Sequence, residues 1–231
     1  MADTLTIAGR DFRLFGDPGA AFLCFQPTDE HDLSAMAEEM QAVEEALGPA
    51  VVCVAALPIR DWNTELSPWT APPVYGKEPF GDGAEQTLAL LTDQALPALE
   101  KRLPPRADRQ YLLAGYSLAG LFALWSAYRT DAFAGVVAAS PSVWYPGWDE
   151  FARARRPLAR AIYLSLGDRE ERTRHPVMRE VGNAIRRQRE LLVVQGVQGT
   201  LEWNPGNHFA DSGKRVAKGL IWTVRTLGAK P

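Results

Sequence analysis

The sequence has few of the residues that build metal centres and disulfide frameworks. It contains 2 cysteines and 3 histidines in 231 residues. The histidines, His31, His175 and His208, are far apart and none has a paired His or Cys spacing, so neither a metal nor another cofactor is expected. Cys24 and Cys53 each lie in a short apolar run, where a free cysteine behaves as a small buried hydrophobe. A disulfide between them is an open alternative if the two runs form neighbouring strands.

The chain also lacks a strong charge of one sign and any long hydrophobic run. Its formal net charge is -3, which provides no basic field for a nucleic-acid backbone. No run approaches the roughly 18 apolar residues of a membrane-spanning helix, so neither nucleic acid nor a membrane is an expected partner. The N-terminal segment MADTLTIAGRDF has no basic start followed by an apolar block. We therefore expect no secretory signal and a cytoplasmic location.

Short apolar runs alternate with longer helical patterns along the whole chain. This alternation is typical of an α/β fold with a mostly parallel central sheet and helices on both faces, and we predict a single domain over residues 1–231. The predicted strands are 21–25, 50–56, 110–114, 135–139, 161–166 and 200–203. The predicted helices are 33–47, 84–102 (with Pro97 as a kink or boundary), 118–128, 176–193 and 215–227.

One segment carries the strongest chemical signal. The sequence QYLLAGYSLAGLFALWSAY places Ser117 directly after an apolar strand and directly before an apolar helix. A nucleophile elbow needs this context, with small residues two before and two after the nucleophile, and Gly115 and Ala119 supply them. The turn lifts the serine hydroxyl above the sheet and points the backbone N–H of Leu118 into the same space, where it can bind an oxyanion. A plain turn with Ser117 as an N-cap is the alternative.

A serine hydroxyl needs a base, and in this type of fold the chain order is Ser, then acid, then His. His208 lies in a Gly-containing loop between the last predicted strand and the last helix, which suits a general base. The acid should follow the penultimate strand, where Asp168, Glu170 and Glu171 compete. We favour Glu170, because a common arrangement places the acid three residues after the glycine that ends the strand.

A second oxyanion donor is expected in the loop after the first predicted strand, in the sequence FLCFQPTDEHD. Pro27 has no N–H and cannot serve. We therefore predict the backbone N–H of Gln26, with that of Thr28 as the alternative.

Two aromatic-rich segments are candidates for the pocket. Residues 57–83 form the largest irregular stretch, with several prolines and glycines and with Trp62, Trp69 and Tyr75. Long loops without regular structure are uncommon unless they are functional. The stretch is either a surface excursion held by its aromatic residues or a wall of a substrate pocket. The aromatic residues of 144–148 either cover the end of the sheet or line the same pocket.

The sequence GYSLAGLFALW, followed by AASPSVWYPGW at residues 138–148, resembles the putative-esterase family. That family includes esterase D-like enzymes and bacterial ferric-siderophore esterases. The resemblance runs from about residue 22 to residue 209. It implies an α/β-hydrolase fold, here with no large lid, and a serine esterase with Ser117 as nucleophile and His208 as base.

The expected function is hydrolysis of a small-molecule carboxylic ester through an acyl-enzyme on Ser117. The substrate (a siderophore lactone, an acyl sugar or a simple ester) and the oligomeric state stay open. The alternatives are an acyltransferase or thioesterase with the same residues, and a non-catalytic small-ligand-binding protein that keeps the hydrolase fold.

Overall fold

The computed structural model describes residues 3–74 and 76–228, and its central feature is an eight-stranded sheet in the order β1-β2-β4-β3-β5-β6-β7-β8. The strands are β1 (Asp3–Ile7), β2 (Arg10–Gly16), β3 (Phe22–Thr28), β4 (Val52–Pro58), β5 (Gln110–Tyr116), β6 (Gly135–Ala139), β7 (Ala161–Gly167) and β8 (Gln198–Asn204). Strands β3 to β8 run parallel to one another, and β2 is antiparallel to both β1 and β4. The predicted mostly parallel α/β sheet is confirmed.

The N-terminal hairpin is the part of the sheet that the sequence analysis did not predict. Ile7 pairs with Arg10, so the turn between β1 and β2 consists of Ala8 and Gly9 alone. Both turn residues have positive φ, 51° and 72°, as two-residue turns that match the twist of the strands require. Phe12 of β2 is fully buried, so the hairpin extends the sheet and its core beyond β4.

Helices cover both faces of the sheet. They are α1 (Glu30–Leu47), α2 (Trp62–Glu65), α3 (Ala84–Ala89), α4 (Leu96–Glu100), α5 (Ser117–Ser126), α6 (Trp148–Arg153), α7 (Pro176–Arg179), α8 (Val181–Val194) and α9 (Ser212–Gly228). The apolar side chains of α1 and α9 pack on one face, and those of α3, α4, α5 and α8 pack on the other. A π-helical segment, Leu90–Ala95, joins α3 to α4, and Pro97 is the second residue of α4. None of the helices described is both long and apolar enough to cross a membrane.

The two cysteines lie on neighbouring strands but do not form a disulfide. Both Cys24 and Cys53 are free and buried. The register of β3 and β4 places Leu23, rather than Cys24, opposite Cys53. Because successive residues of a strand point to opposite faces of the sheet, the two thiols belong to separate core clusters.

The carboxyl ends of the parallel strands meet at one edge of the sheet, and the chemistry-bearing residues follow them. Ser117 comes directly after β5 and Ser140 directly after β6, Glu170 follows β7, and His208 follows β8. Open α/β sheets bind their ligands at this edge. The topology therefore brings together residues that are up to 91 positions apart in the chain.

Candidate active site

Ser117 lies in a strained turn that its neighbours hold in place. Its φ is 57°, a left-handed conformation that costs a residue with a side chain about 1–3 kcal/mol. At Gly115 a Cβ would lie 2.3 Å from the carbonyl oxygen of Ala119, and at Gly120 a Cβ would lie 3.0 Å from that of Ala139. Glycine at these two positions allows the backbone of β5, the turn and α5 to approach one another closely, which leaves Ser117 at the tip of the turn.

Three side chains from three loops form one hydrogen-bonded line. His208 Nε2 is 3.0 Å from Ser117 Oγ, and His208 Nδ1 is 2.7 Å from Glu170 Oε2. The imidazole is partly exposed, with 34% of its side-chain surface accessible, whereas the Glu170 side chain is 4% exposed. The line therefore runs from a buried carboxylate through a partly exposed imidazole to Ser117, which is itself partly buried.

The carboxylate oxygen of Glu170 that does not bind His208 accepts hydrogen bonds from three other donors. Oε1 accepts hydrogen bonds from the Gly167 amide at 2.7 Å, from Ser140 Oγ at 2.8 Å and from Arg215 Nη1 at 2.7 Å. Burial opposes ionisation, but the hydrogen bond and charge of His208, together with the Gly167 and Ser140 hydrogen bonds, outweigh it and hold the pKa of Glu170 below its usual value. The carboxylate is therefore ionised at neutral pH and accepts the Nδ1 proton of a neutral imidazole.

The two competing carboxylates have other partners. Asp168 is exposed, and its Oδ1 accepts a hydrogen bond from the Gly206 amide at 2.9 Å. Glu171 pairs with Arg186 at 2.9 Å. Among residues 3–74 and 76–228, no group of three or more His, Cys, Asp or Glu side chains is placed to hold a metal ion.

The two other histidines lie at the starts of helices. His175 is the N-cap of α7, where its Nδ1 accepts from the Met178 amide at 3.4 Å. His31 is an exposed residue in the first turn of α1. Neither position extends the line through Ser117, so the structure joins His208 alone of the three to the serine.

The predicted oxyanion donors lie in the first turn of α5 and in β3. Leu118 is in the first turn of α5, where backbone amides have no acceptor within the helix. In β3, the Phe22 amide donates to Val51 and the Thr28 carbonyl accepts from Ile59. Since backbone groups alternate sides along a strand, every second residue of β3 faces β4. By this alternation the amides of Gln26 and Thr28 face β4 rather than β5, which disfavours either as the second oxyanion donor.

Sequence reasoning missed two residues that surround this line. Arg215 and Tyr116 are both buried, and their side chains contact each other and the acid or base loops. The signal was present for Arg215, because it lies in the apolar stripe of α9 beside Val216 and Gly219. An arginine in such a stripe is buried only when it is paired.

The aromatic segments pack against each other beside the site. Trp69 Nε1 donates to the Pro146 carbonyl at 2.8 Å, and the Tyr145 hydroxyl donates to the Trp69 carbonyl at 2.5 Å. Phe80 packs against Tyr145 with ring centroids 5.1 Å apart. The predicted loop 57–83 is therefore attached to the segment after β6 by its aromatic residues. Tyr75 lies outside the described residues.

A cleft of about 620 Å³ borders this cluster. Its walls come from the segment after β6, including Trp144 and Trp148, and from the α7–α8 region, including Val177 and Arg187. Neither residues of the 57–83 loop nor Ser117, Glu170 and His208 are among its walls. The Ser142 amide donates to the Ser117 carbonyl at 3.1 Å, which connects the cleft segment to the serine turn.

The family comparison matches most of the chain. Residues 25–214 match the family model described as Putative esterase. A comparison with curated proteins found no significant match.

Several solved structures share the fold. The siderophore hydrolase EstA from Aspergillus nidulans is 21% identical, with a TM-score of 0.72 over 97% of this chain and 94% of its own. The enterobactin esterase FES from Shigella flexneri is 19% identical, with a TM-score of 0.67 over 98% of this chain and 59% of its own. The enterobactin hydrolase IroE in complex with DFP is 16% identical, with a TM-score of 0.64 over 100% of this chain and 95% of its own. At these identities the likeness establishes the fold.

Proposed function

This chain belongs to the family described as Putative esterase and is a carboxylic ester hydrolase, and we propose that it works through an acyl-enzyme intermediate on Ser117. The observation that supports the proposal is the line from Ser117 Oγ through His208 to Glu170, with distances of 3.0 and 2.7 Å. A serine hydroxyl is a weak nucleophile until an adjacent base takes its proton. His208 Nε2 lies at the distance that such a transfer requires.

In the proposed reaction, Ser117 Oγ attacks the ester carbonyl carbon while His208 Nε2 takes the hydroxyl proton. Glu170 orients the imidazole and stabilises its charged form without taking the proton. His208 then gives the proton to the departing alcohol, which leaves the acyl group on Ser117. A water molecule then gives a proton to His208 and attacks the acyl-enzyme, and His208 passes that proton to Ser117 Oγ as the bond to the acyl group breaks and the carboxylic acid leaves.

The oxyanion of each tetrahedral intermediate needs backbone donors. We propose the Leu118 amide as the first. For the second donor, the amides of Gln26 and Thr28 stay predictions, although the alternation along β3 turns both of them toward β4. The first amides of a helix have no intrahelical acceptor and lie at its positive end.

The substrate proposed for the first tests is a siderophore ester. This choice follows from the neighbours EstA, FES and IroE, which are named as siderophore or enterobactin hydrolases. Simple acyl esters and acyl sugars are the competing small-molecule substrates.

A substrate panel tests this proposal. We expect saturable hydrolysis of p-nitrophenyl acetate and, for a siderophore lactone, a kcat/KM at least about tenfold higher. Added thioesters and competing alcohols measure thioesterase and acyltransferase activity in the same assay. Failure of the folded protein to cleave any ester would overturn the proposal and favour a small-ligand-binding protein.

The acid can be identified by replacing each carboxylate with its amide. We expect Glu170→Gln to lower kcat by about 10²- to 10⁴-fold, because an amide cannot stabilise the imidazolium and supports the wrong tautomer. Asp168→Asn and Glu171→Gln are matched controls from the same loop and should stay within about threefold of the wild type. A larger loss in either control than in Glu170→Gln would assign the acid to that residue instead. The measurement is kcat on p-nitrophenyl acetate.

A further inference from the structure

Arg215 is a buried cation directly behind the Glu170 carboxylate. Its side chain, in the first turn of α9, is 1% exposed, and Nη1 is 2.7 Å from Glu170 Oε1. The same nitrogen donates to Ser140 Oγ at 2.9 Å and to the Tyr116 hydroxyl at 3.0 Å. Removing such a charge from water is costly unless an opposite charge and hydrogen bonds replace the water. Glu170 supplies the charge, and its neighbours supply the hydrogen bonds.

The second guanidinium nitrogen is bonded to the loop that carries the base. Arg215 Nη2 donates to the carbonyl oxygens of Pro205 at 3.1 Å and Asn207 at 2.8 Å. The Tyr116 hydroxyl, which accepts from Arg215, donates to the His208 carbonyl at 2.8 Å. The guanidinium therefore binds directly to the backbone of the residues just before His208. Through the Tyr116 hydroxyl it is also linked to the backbone of His208 itself.

One planar group thus joins the acid to the loop of the base. Nη1 binds the carboxylate and Nη2 binds the loop, which uses the fixed fork of the guanidinium. A lysine ammonium can supply the charge but not both connections. The surroundings are tight, since a Cβ at Gly167 would lie 2.8 Å from Arg215 Nη2 and 2.9 Å from Glu170 Oε1. The pair has little room to adopt another arrangement.

We propose that Arg215 is a positioning residue for ester hydrolysis, which sets the Glu170 carboxylate and the His208 loop in one fixed relation to Ser117. This inference rests on the proposed function of that site. With Glu170 Oε1 occupied by Arg215, Oε2 is left to accept from His208 Nδ1. Nε2 of the same ring then points at Ser117 Oγ.

Two substitutions with a matched control test the proposal. Arg215→Met removes the charge and the fork, and we expect kcat to fall about 10²-fold or more while KM changes by less than about threefold. Arg215→Lys restores the charge alone and should recover about tenfold of that loss. Arg225→Met is the control, because Arg225 is an exposed residue of the same helix that contacts the Ala46 carbonyl. Its kcat should equal that of the wild type.

Two further readouts separate positioning from a loss of folding. In Arg215→Met the acidic limb of the kcat profile should move to higher pH by about one unit, because the loss of a nearby positive charge strengthens proton binding at the groups that must be deprotonated for turnover. In Arg215→Ala, guanidinium ion well below denaturing concentrations should restore activity. A purely structural role would change the melting temperature and the folded fraction but neither of these.

The Arg215 variants test the positioning role, and the Ser117→Ala variant tests the proposed function separately. Wild-type kcat per folded molecule in Arg215→Met, with an unshifted pH profile, would overturn the inference. If Arg215→Met does not fold, Arg215→Lys decides, since a lowered kcat in the folded protein supports positioning and a wild-type kcat overturns it. Full activity in Ser117→Ala would instead overturn the proposed function itself.

Discussion

Replacing Ser117 with alanine is expected to lower kcat for ester hydrolysis by about 10³- to 10⁶-fold. Without Oγ no acyl-enzyme forms, and only binding and the oxyanion donors remain to accelerate attack by water. The fold should persist, because alanine occupies the same space minus one atom. The measurement is the steady-state rate on p-nitrophenyl acetate, with circular dichroism to confirm that the variant is folded.

Ser126→Ala is the matched control for this experiment. Ser126 is a buried serine of the same helix, α5, and its hydroxyl donates to the Phe122 carbonyl at 2.8 Å. Losing that hydroxyl can lower stability but leaves the line through Ser117 intact, so kcat should stay at the wild-type value. If folded Ser117→Ala keeps more than about a tenth of the activity, the acyl-enzyme mechanism is wrong.

Replacing His208 with alanine should cause a loss of similar size, about 10³- to 10⁶-fold in kcat. The hydroxyl of Ser117 would then have no base within reach, since Nε2 is the group at 3.0 Å. The double variant Ser117→Ala/His208→Ala should be no slower than either single variant, because the two residues act as one unit.

His175→Ala is the control for the base. His175 caps α7 through the Met178 amide, so its loss should cost some stability and leave kcat unchanged. The contrary pattern, in which His175→Ala is inactive and His208→Ala is active, would move the base to the α7 helix. Losses that multiply in the double variant would show that the two residues act separately.

The parallel sheet and its family could be predicted because their signals are local. Strands buried on both faces appear as apolar runs, and the turn around Ser117 needs small residues that the sequence displays. The match over residues 25–214 confirms the resemblance to the esterase family. The β1–β2 hairpin was missed because its Ala8–Gly9 turn lacks the Asn-Gly or Asp-Gly pair that marks such turns most clearly.

The identity of the acid depends on contacts that the sequence does not display. Asp168, Glu170 and Glu171 fall within one short turn, so spacing alone ranks them weakly. The structure separates the three carboxylates by their partners. Glu170 is hydrogen-bonded to His208, Asp168 accepts from the Gly206 amide, and Glu171 forms an ion pair with Arg186. The catalytic role of Glu170 stays a prediction until the amide variants are measured.

The direction of backbone amides and the partner of a buried charge were also beyond sequence reasoning. Both faces of β3 are apolar, so nothing in the sequence shows which amides face β4, and Gln26 was assigned on its position alone. The position of Arg215 in the apolar stripe of α9 indicates burial, but the sequence does not identify its partner, Glu170, which is 45 residues away in the chain. Long-range pairing of this kind becomes visible only in the folded structure.

Labelling with a fluorophosphonate, followed by intact mass measurement and peptide mapping, tests the central claim most directly. An activated serine attacks such a reagent, whereas an ordinary surface serine does not. We expect one adduct per chain, located on Ser117 and lost in His208→Ala. Folded protein that takes no label, or carries it on another residue, would contradict the assignment of Ser117 as the nucleophile.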